Sequence, residues 1–220
     1  FSWVSWVEAS RFDAATAYAC FDRHTFGDMA PHVFKTTDYG KTWTRLVSAT
    51  SGVRGYAHCV KEDTVNPSLL FLGTEFGLWI SLDEGKTWAA FKARDFPAVA
   101  VREIQVHPRE GDLVLATHGR GIWIVDDLTP LRALTPELAA KSAAFLPDRP
   151  VQQRMQAGGG WVEGDAKFVG ENPSGGATIN ASPVFLRFNP ASYRRFCASW
   201  PRAPGVPSAA TSTAAIMPTE

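Results

Sequence analysis

Two eight-residue stretches limit what this chain can fold into more than anything else in it. Thr36-Thr37-Asp38-Tyr39-Gly40-Lys41-Thr42-Trp43 and Ser81-Leu82-Asp83-Glu84-Gly85-Lys86-Thr87-Trp88 both read S/T-x-D-x-G-x-T-W, and the second begins 45 residues after the first. Self-similarity at that period predicts a propeller blade or a solenoid unit. Each stretch follows an alternating run, Val33-Phe34-Lys35 or Leu78-Trp79-Ile80, so the local expectation is strand, tight turn, strand. The aspartate accepts backbone N–H bonds across the turn and the glycine takes a positive φ. The hydroxyl ties the loop to its own strand. The tryptophan folds beneath as an apolar plug of roughly 150–250 Å².

Three blade-like units follow from this period. The first has strands near 3–9, 16–21, 32–36 and 42–47, and the second near 56–61, 69–74, 78–82 and 87–92. The third has them near 102–106, 113–117 and 122–125, after which the pattern fades. Gly77-Leu78-Trp79-Ile80 and Gly121-Ile122-Trp123-Ile124 superpose at an offset of 44. The turn motif decays there. Asp127 stands where Asp83 stood, but Thr129 and Arg132 replace Gly85 and Trp88.

In an up-and-down four-stranded blade the first and third turns share one face, and the second turns share the other with the connections between blades. The two eight-residue turns therefore sit with the hairpins at 10–13, 62–67 and 107–112. The opposite face receives 22–31, 48–54, 75–77, 94–98 and 118–121. Aligning the second strands brings Asp22, Glu75 and His118 to equivalent positions at its mouth. The loop at 22–31 is expected to be the longest of its kind.

After Asp127 the composition changes. Thr135-Pro136-Glu137-Leu138 predicts a helix of about ten residues that ends before Pro147, with Thr as N-cap and Pro at the first helical position. Gly158-Gly159-Gly160 reads as a linker, residues 161–189 as the start of a small β unit, and 190–220, rich in Ala, Ser, Pro and Thr, as a disordered tail. The expected organisation is blades over 1–128, then helix and linker over 129–160, then these two segments.

With 22 basic and 22 acidic side chains in 220 residues, the formal net charge is zero. Bulk charge therefore gives no reason for a nucleic-acid or anionic-membrane partner. No apolar run approaches the roughly 18 residues of a bilayer span, and no signal peptide opens the chain. Cys20, Cys59 and Cys197 are too widely spaced for a metal or redox motif, and Cys20 and Cys59 read as sheet-packing residues. His24, His32, His58 and His107 show no metal-ligand spacing, so neither a metal nor a cofactor is expected.

The two S/T-x-D-x-G-x-T-W stretches resemble the Asp box, or BNR repeat, of sialidase-like and sortilin-like β-propellers. In those families the box is a folding device on the rim, away from the ligand face. The resemblance thus implies a structural role for Thr36, Asp38, Gly40, Trp43, Ser81, Asp83, Gly85 and Trp88. Glu62-Asp63, the run from Leu69 to Gly77 and the run from Ala116 to Leu128 are similar to the end of a bacterial propeller family. Its members are usually exported, are similar to the sortilin N-terminal domain, and are commonly labelled glycosyl hydrolases of the BNR-repeat type. The segment 170–180 is similar to the start of the region that follows the propeller there, and beyond Asn180 the sequence departs from that pattern. The expected fold is all-β, a partial β-propeller of about three four-stranded blades with a short helix and an irregular tail. Three blades cannot close a ring. The chain is therefore read as the C-terminal piece of a longer parent, whose missing blades are its expected partner, in an extracellular or periplasmic setting.

Glycoside hydrolysis usually needs two carboxyl groups about 5–10 Å apart. Asp22, Asp28, Glu75 and Asp95 lie on the loop-rich face, and Asp22, Glu75 and Asp95 are the candidate catalytic set. The alternative is that they are solvated or turn-capping acids. A sialidase would need an arginine cluster and a Tyr–Glu pair. Arg23, Arg54 and Arg120 suit the first need, but no tyrosine is expected in those loops, since Tyr56 stands near a strand start. In His118-Gly119-Arg120-Gly121 the glycines let His118 and Arg120 project into the mouth, and with Arg54 these are candidate ligand-binding residues. The structural alternative pairs Arg120 with Asp126 or Asp127. Trp79 and Trp123 read as blade-packing residues first. Two functions stand open: a carbohydrate-active, glycosyl-hydrolase-type propeller acting on or binding glycans, and a non-catalytic sortilin-like propeller that binds peptide or protein.

Overall fold

A computed structural model describes residues 2–92, 96–135, 138, 143–150 and 180–183. Alternating runs rich in Val, Ile, Trp and Phe form three antiparallel sheets in chain order. The first is β1 (Trp3–Ala9), β2 (Ala17–Arg23), β3 (Asp28–Thr36) and β4 (Thr44–Arg45). The second is β5 (Ala57–Glu62), β6 (Leu70–Thr74), β7 (Gly77–Ser81) and β8 (Ala89–Ala90). The third has β9 (Val101–Val106), β10 (Leu113–Thr117) and β11 (Ile122–Val125), with no fourth strand among the described residues. Within each of these sheets every strand pairs with the next in sequence, as an up-and-down blade requires.

The ladders make the three sheets equivalent residue by residue. Each carries an irregularity in its first strand, between Val4 and Trp6, between Ala57 and Cys59, and opposite Ala116–Thr117. The residue left without a ladder partner is Ser5, His58 or Arg102. A β-bulge of this kind re-aims a side chain, and the same one recurs in all three.

Stacking of the sheets buries the middle one on both sides. Tyr18, Cys20 and Val33 of the first sheet meet Val60, Leu72, Trp79 and Trp88 of the second. Cys59, Phe71, Leu78 and Ile80 on its other side meet Val101, Ile104 and Leu115 of the third. Gly73 marks how closely the sheets approach, because a Cβ there would lie 2.5 Å from the Val101 carbonyl oxygen. Cys20 and Cys59 are free and buried, and burial pushes the Cys59 thiol up to about 12. They pack; they do not react.

Polar clamps cross the same junctions on the turn face. Glu62 accepts from the Ser10 hydroxyl (2.8 Å), the Arg11 N–H (3.0 Å) and the Tyr18 hydroxyl (3.0 Å) of the first sheet's side. Asp63, fully buried, receives Arg132 on both oxygens at 2.9 and 2.8 Å.

Several expectations are corrected. Leu138 is helical and its N–H donates to the Thr135 hydroxyl (3.3 Å), as the expected N-cap requires. But a separate short helix α1 (Thr129–Arg132) precedes it, and Ala143–Leu146, where the expected helix was to continue, is strand β12, paired with β13 (Asn180–Pro183). The expected loop at 22–31 is mostly strand. A 3-10 turn (His24–Phe26) and Gly27 link β2 to β3, because Asp28 is held by Arg23 (3.2 Å) and His32 (2.8 Å). The linker at 158–160, the segment 170–179 and the tail from 190 lie outside the described residues.

Candidate functional site

Backbone bonds sort the loops onto two faces. The Tyr39 N–H reaches the Ala15 carbonyl and the Glu84 N–H reaches the Ser68 carbonyl, both at 3.0 Å. These bonds place each eight-residue turn beside the first hairpin of its own sheet, on the turn face. On the opposite face the Glu75 N–H donates to the Tyr56 carbonyl (3.2 Å), and at the equivalent register His118 N–H donates to the Ala100 carbonyl (2.9 Å). Asp22 holds the matching place opposite Trp3. Asp22, Glu75 and His118 thus stand at equivalent register on the loop face.

The bulges aim His58 and Arg102 toward this face, where they meet Glu75. His58 Nε2 lies 2.8 Å from Glu75 Oε2, and Arg102 Nη1 lies 3.2 Å from His58 Nδ1. A guanidinium can only donate. Nδ1 is therefore the bare nitrogen, and Nε2 carries the proton given to Glu75. Arg102 also stands 3.8 Å from the Glu75 carboxylate. Tyr56 donates its hydroxyl to the same group. It is packed edge-on against His58 (ring centroids 4.8 Å apart) and stacked on His24 (4.7 Å). His24 Nδ1 in turn lies 2.6 Å from Asp22 Oδ1. Asp22, His24, Tyr56, His58, Glu75 and Arg102 thus form one linked cluster on the loop face.

The electrostatics are those of a fixed ion pair. Burial alone would raise the Glu75 carboxyl, but the hydrogen bonds from His58 and Tyr56 and the charge of Arg102 outweigh it and hold it below its ordinary value. Burial lowers His58, with Arg102 adding to the effect, so the imidazole stays neutral more readily. Burial raises Tyr56, and the hydrogen bond to Glu75 raises it further. Asp28, hydrogen-bonded by His32 and the Ala30 N–H, is also held low. A glycosidase acid needs the reverse shift.

Asp22 and Glu75 are therefore brought into one cluster. Asp95 lies outside the described residues. Arg54, His118 and Arg120 are exposed and make no ion pair among the described residues. The pairing of Arg120 with Asp126 or Asp127 is absent. Arg120 instead accepts the Trp123 indole N–H on its carbonyl, while Asp127 caps Thr129 and accepts the Arg149 N–H. The expectation that no tyrosine reaches these acids is corrected by Tyr56, whose position just before β5 is the mouth itself. His24, His58 and Arg102 were missed as well. The signal that finds them is the register of the bulges, which needs strand pairing and not sequence alone. No His, Cys, Asp and Glu group suited to a metal is present among the described residues.

The eight-residue turns are built on the other face, bond for bond alike. Asp38 Oδ1 accepts from Thr36 Oγ1 and Thr42 N–H (both 2.8 Å), and Oδ2 accepts from the Thr42 hydroxyl (2.6 Å). Asp83 repeats this with Ser81 and Thr87 at 2.8, 2.8 and 2.6 Å. The indole N–H of Trp43 or Trp88 donates to the Gly40 or Gly85 carbonyl at 3.1 or 3.0 Å.

Comparison with known proteins adds the following. Residues 31–128 match the family model described as sortilin, neurotensin receptor 3 (Sortilin-Vps10). The vacuolar protein sorting/targeting protein 10 of Aspergillus flavus is 24% identical over 84 residues, which are 38% of this chain and 6% of that protein. Its Aspergillus oryzae counterpart matches equally. This chain thus spans only a small part of the relatives it matches. Among solved structures, a GH74 enzyme from Niastella koreensis is 17% identical with a TM-score of 0.46, over 66% of this chain and 26% of that one. YCF48 bound to D1 peptide is also 17% identical, with a TM-score of 0.40, over 57% and 37%. The chain is thus built of β-propeller blades, and over residues 31–128 it is similar to the sortilin/Vps10 family.

Proposed function

We propose that the loop face of these blades is a peptide- or protein-binding surface, centred on the Tyr56–His58–Glu75–Arg102 cluster. The observation that carries this reading is the locked state of Glu75. Three neighbours hold it as an anion, so it serves as an anchor for Arg102 and His58 and is not free to cycle a proton. Arg102 is half-exposed, and its guanidinium has donors beyond the one given to His58. A fixed, partly desolvated donor beside the stacked rings of Tyr56 and His24 suits a peptide with polar and apolar groups in alternation. Arg54, His118 and Arg120 extend the surface. The sortilin/Vps10 match over this stretch supports the same reading, and an extracellular or periplasmic setting is proposed with it.

A second reading keeps glycans as ligand, with Asp22, Glu75 and Asp95 as the hydrolytic carboxylates. It is favoured by the presence of several acids at one mouth, but the lowered state of Glu75 suits the nucleophile or base of such a pair and not its acid, and no raised carboxyl stands beside it among the described residues. A random peptide library and a polysaccharide panel, each applied to the wild type and to Arg102→Ala and Glu75→Gln, separate the two. The binding reading expects peptide retention that both substitutions weaken by about tenfold or more, with no sugar released. Release of reducing sugar that Glu75→Gln abolishes would overturn it in favour of hydrolysis.

A further inference from the structure

The middle sheet has a neighbour on each side, so a side chain it exposes on the loop face is exposed with both adjacent sheets in place. Its turn between β6 and β7 is Glu75-Phe76. Phe76 is 54% exposed. Its N–H is bound by the Thr74 hydroxyl (3.3 Å), which also accepts the Trp79 indole N–H (3.2 Å). A fixed turn thus holds the ring out. The loop from the first sheet is pressed onto the same turn. Gly55, at φ +79°, lies so close that a Cβ would stand 2.9 Å from Cδ2 of Phe76 and 3.1 Å from the Glu75 Cβ. Only glycine suits that place, and the residue before it, Arg54, is exposed. From the third sheet Arg102 comes within 3.8 Å of Glu75, with 45% of its side chain exposed.

The charges on this face are committed unevenly. Among the described residues its acids are all engaged: Asp22 by His24 (2.6 Å), Asp28 by Arg23 and His32 (3.2 and 2.8 Å), and Glu75 by His58 (2.8 Å) and Tyr56. Arg54 has no acidic partner among those residues. Glu75 and Arg102 offset one another. That leaves Arg54 as the uncompensated charge and Arg102 as a source of directed N–H donors. We propose that the Glu75–Phe76 turn, with Arg54 and Arg102, is a docking site for an acidic peptide segment. A carboxylate would sit on Arg54, an oxygen on Arg102 and an apolar side chain on the Phe76 ring. The proposal rests on the peptide-binding reading of the loop face and adds the charge of the ligand. Guanidinium groups pair with carboxylates through parallel N–H bonds, and an arginine beside an exposed aromatic is the make-up of a binding hot spot. A sulfated polysaccharide would satisfy the arginines, but its hydrated, charged surface gives Phe76 little to bury.

Fluorescence anisotropy tests this with the full chain and a labelled peptide of alternating glutamate and leucine, acetylated and amidated so that only side chains carry charge. Its glutamine and lysine counterparts and dextran sulfate are run beside it. The glutamate peptide is expected to bind about tenfold or more tighter than the glutamine peptide, and to weaken as salt rises from about 0.05 to 0.5 M. Arg54→Gln and Phe76→Ser should each weaken it by about fivefold or more. Should either fail to fold by circular dichroism, Arg54→Met or Phe76→Gln takes its place. Equal binding of the glutamate and glutamine peptides, weakened in both by Arg102→Ala, overturns the acidic preference and leaves the peptide reading standing. Glutamate-peptide binding unmoved by the changes at Arg54 and Phe76 overturns the placement at this turn. Binding of dextran sulfate alone, or of none of the probes, overturns the proposal and the peptide reading together.

Discussion

The turn at Thr36–Trp43 and the turn at Ser81–Trp88 share their hydrogen bonds, the largest difference being 3.0 against 2.8 Å for the glycine N–H, yet their tryptophans end in different surroundings. Trp88 is buried in the junction with the first sheet, and Gly85 beside it is so close to Leu46 that a Cβ would come within 3.1 Å. Trp43 has no sheet on its outer side and stays partly exposed. The difference shows that the aspartate network forms from local chemistry, whether or not a neighbouring blade arrives. Burial of the indole is a separate matter, set by the neighbouring sheet.

That separation is open to attack in order of size. Trp88→Ala removes a buried indole and is expected to cost about 3–5 kcal/mol in urea unfolding, whereas Trp43→Ala should cost only about 1 kcal/mol. Equal losses at both sites would show that the turn, and not the neighbour, sets the cost. Asp83→Ala is expected to cost about 1–2 kcal/mol, since it strips the Thr87 N–H and hydroxyl of their acceptor, and Asp38→Ala should move the unfolding midpoint in the same direction. If only one of the pair responded, the claim that the two networks are equivalent would fail.

The smallest effect is the pH dependence of those aspartates. Burial alone would raise Asp83, but bonds from Thr87 and Ser81 hold it below its ordinary value of 3.8. Asp38 is lowered chiefly by the Thr42 hydroxyl, then by the Thr42 N–H. For a carboxyl lowered on folding, the stabilisation is complete above the unfolded value and is lost as pH falls through the folded one. The gap in midpoint between wild type and Asp83→Ala should therefore hold steady down to pH of about 4 and narrow below it. A gap that closed near neutral pH would point to some other titrating group.

The cluster at the mouth was legible only in part. Glu75 and Asp22 are visible from sequence because they follow the second strand of each unit at equal register. His58 and Arg102 are not, because each sits inside a strand where alternation assigns it to a face, and the bulge overrides that assignment. The helix shows a similar limit. The Thr135 cap is legible because its bond to the Leu138 N–H spans three residues, whereas the short helix at Thr129–Arg132 is tied down by Arg132 on Asp63, which only the fold brings near. Gly73 reads as a weak strand residue until the Val101 carbonyl is seen against it.

By itself, the order of residues determined the strands, the period and the two aspartate turns, because each rests on contacts within a few residues of chain. Which side chains reach the mouth, which tryptophan is covered and where the helix falls were decided only when whole sheets stacked. Those outcomes depend on groups some 40 to 70 residues apart, such as His58 with Arg102 and Asp63 with Arg132, and no local pattern carries them.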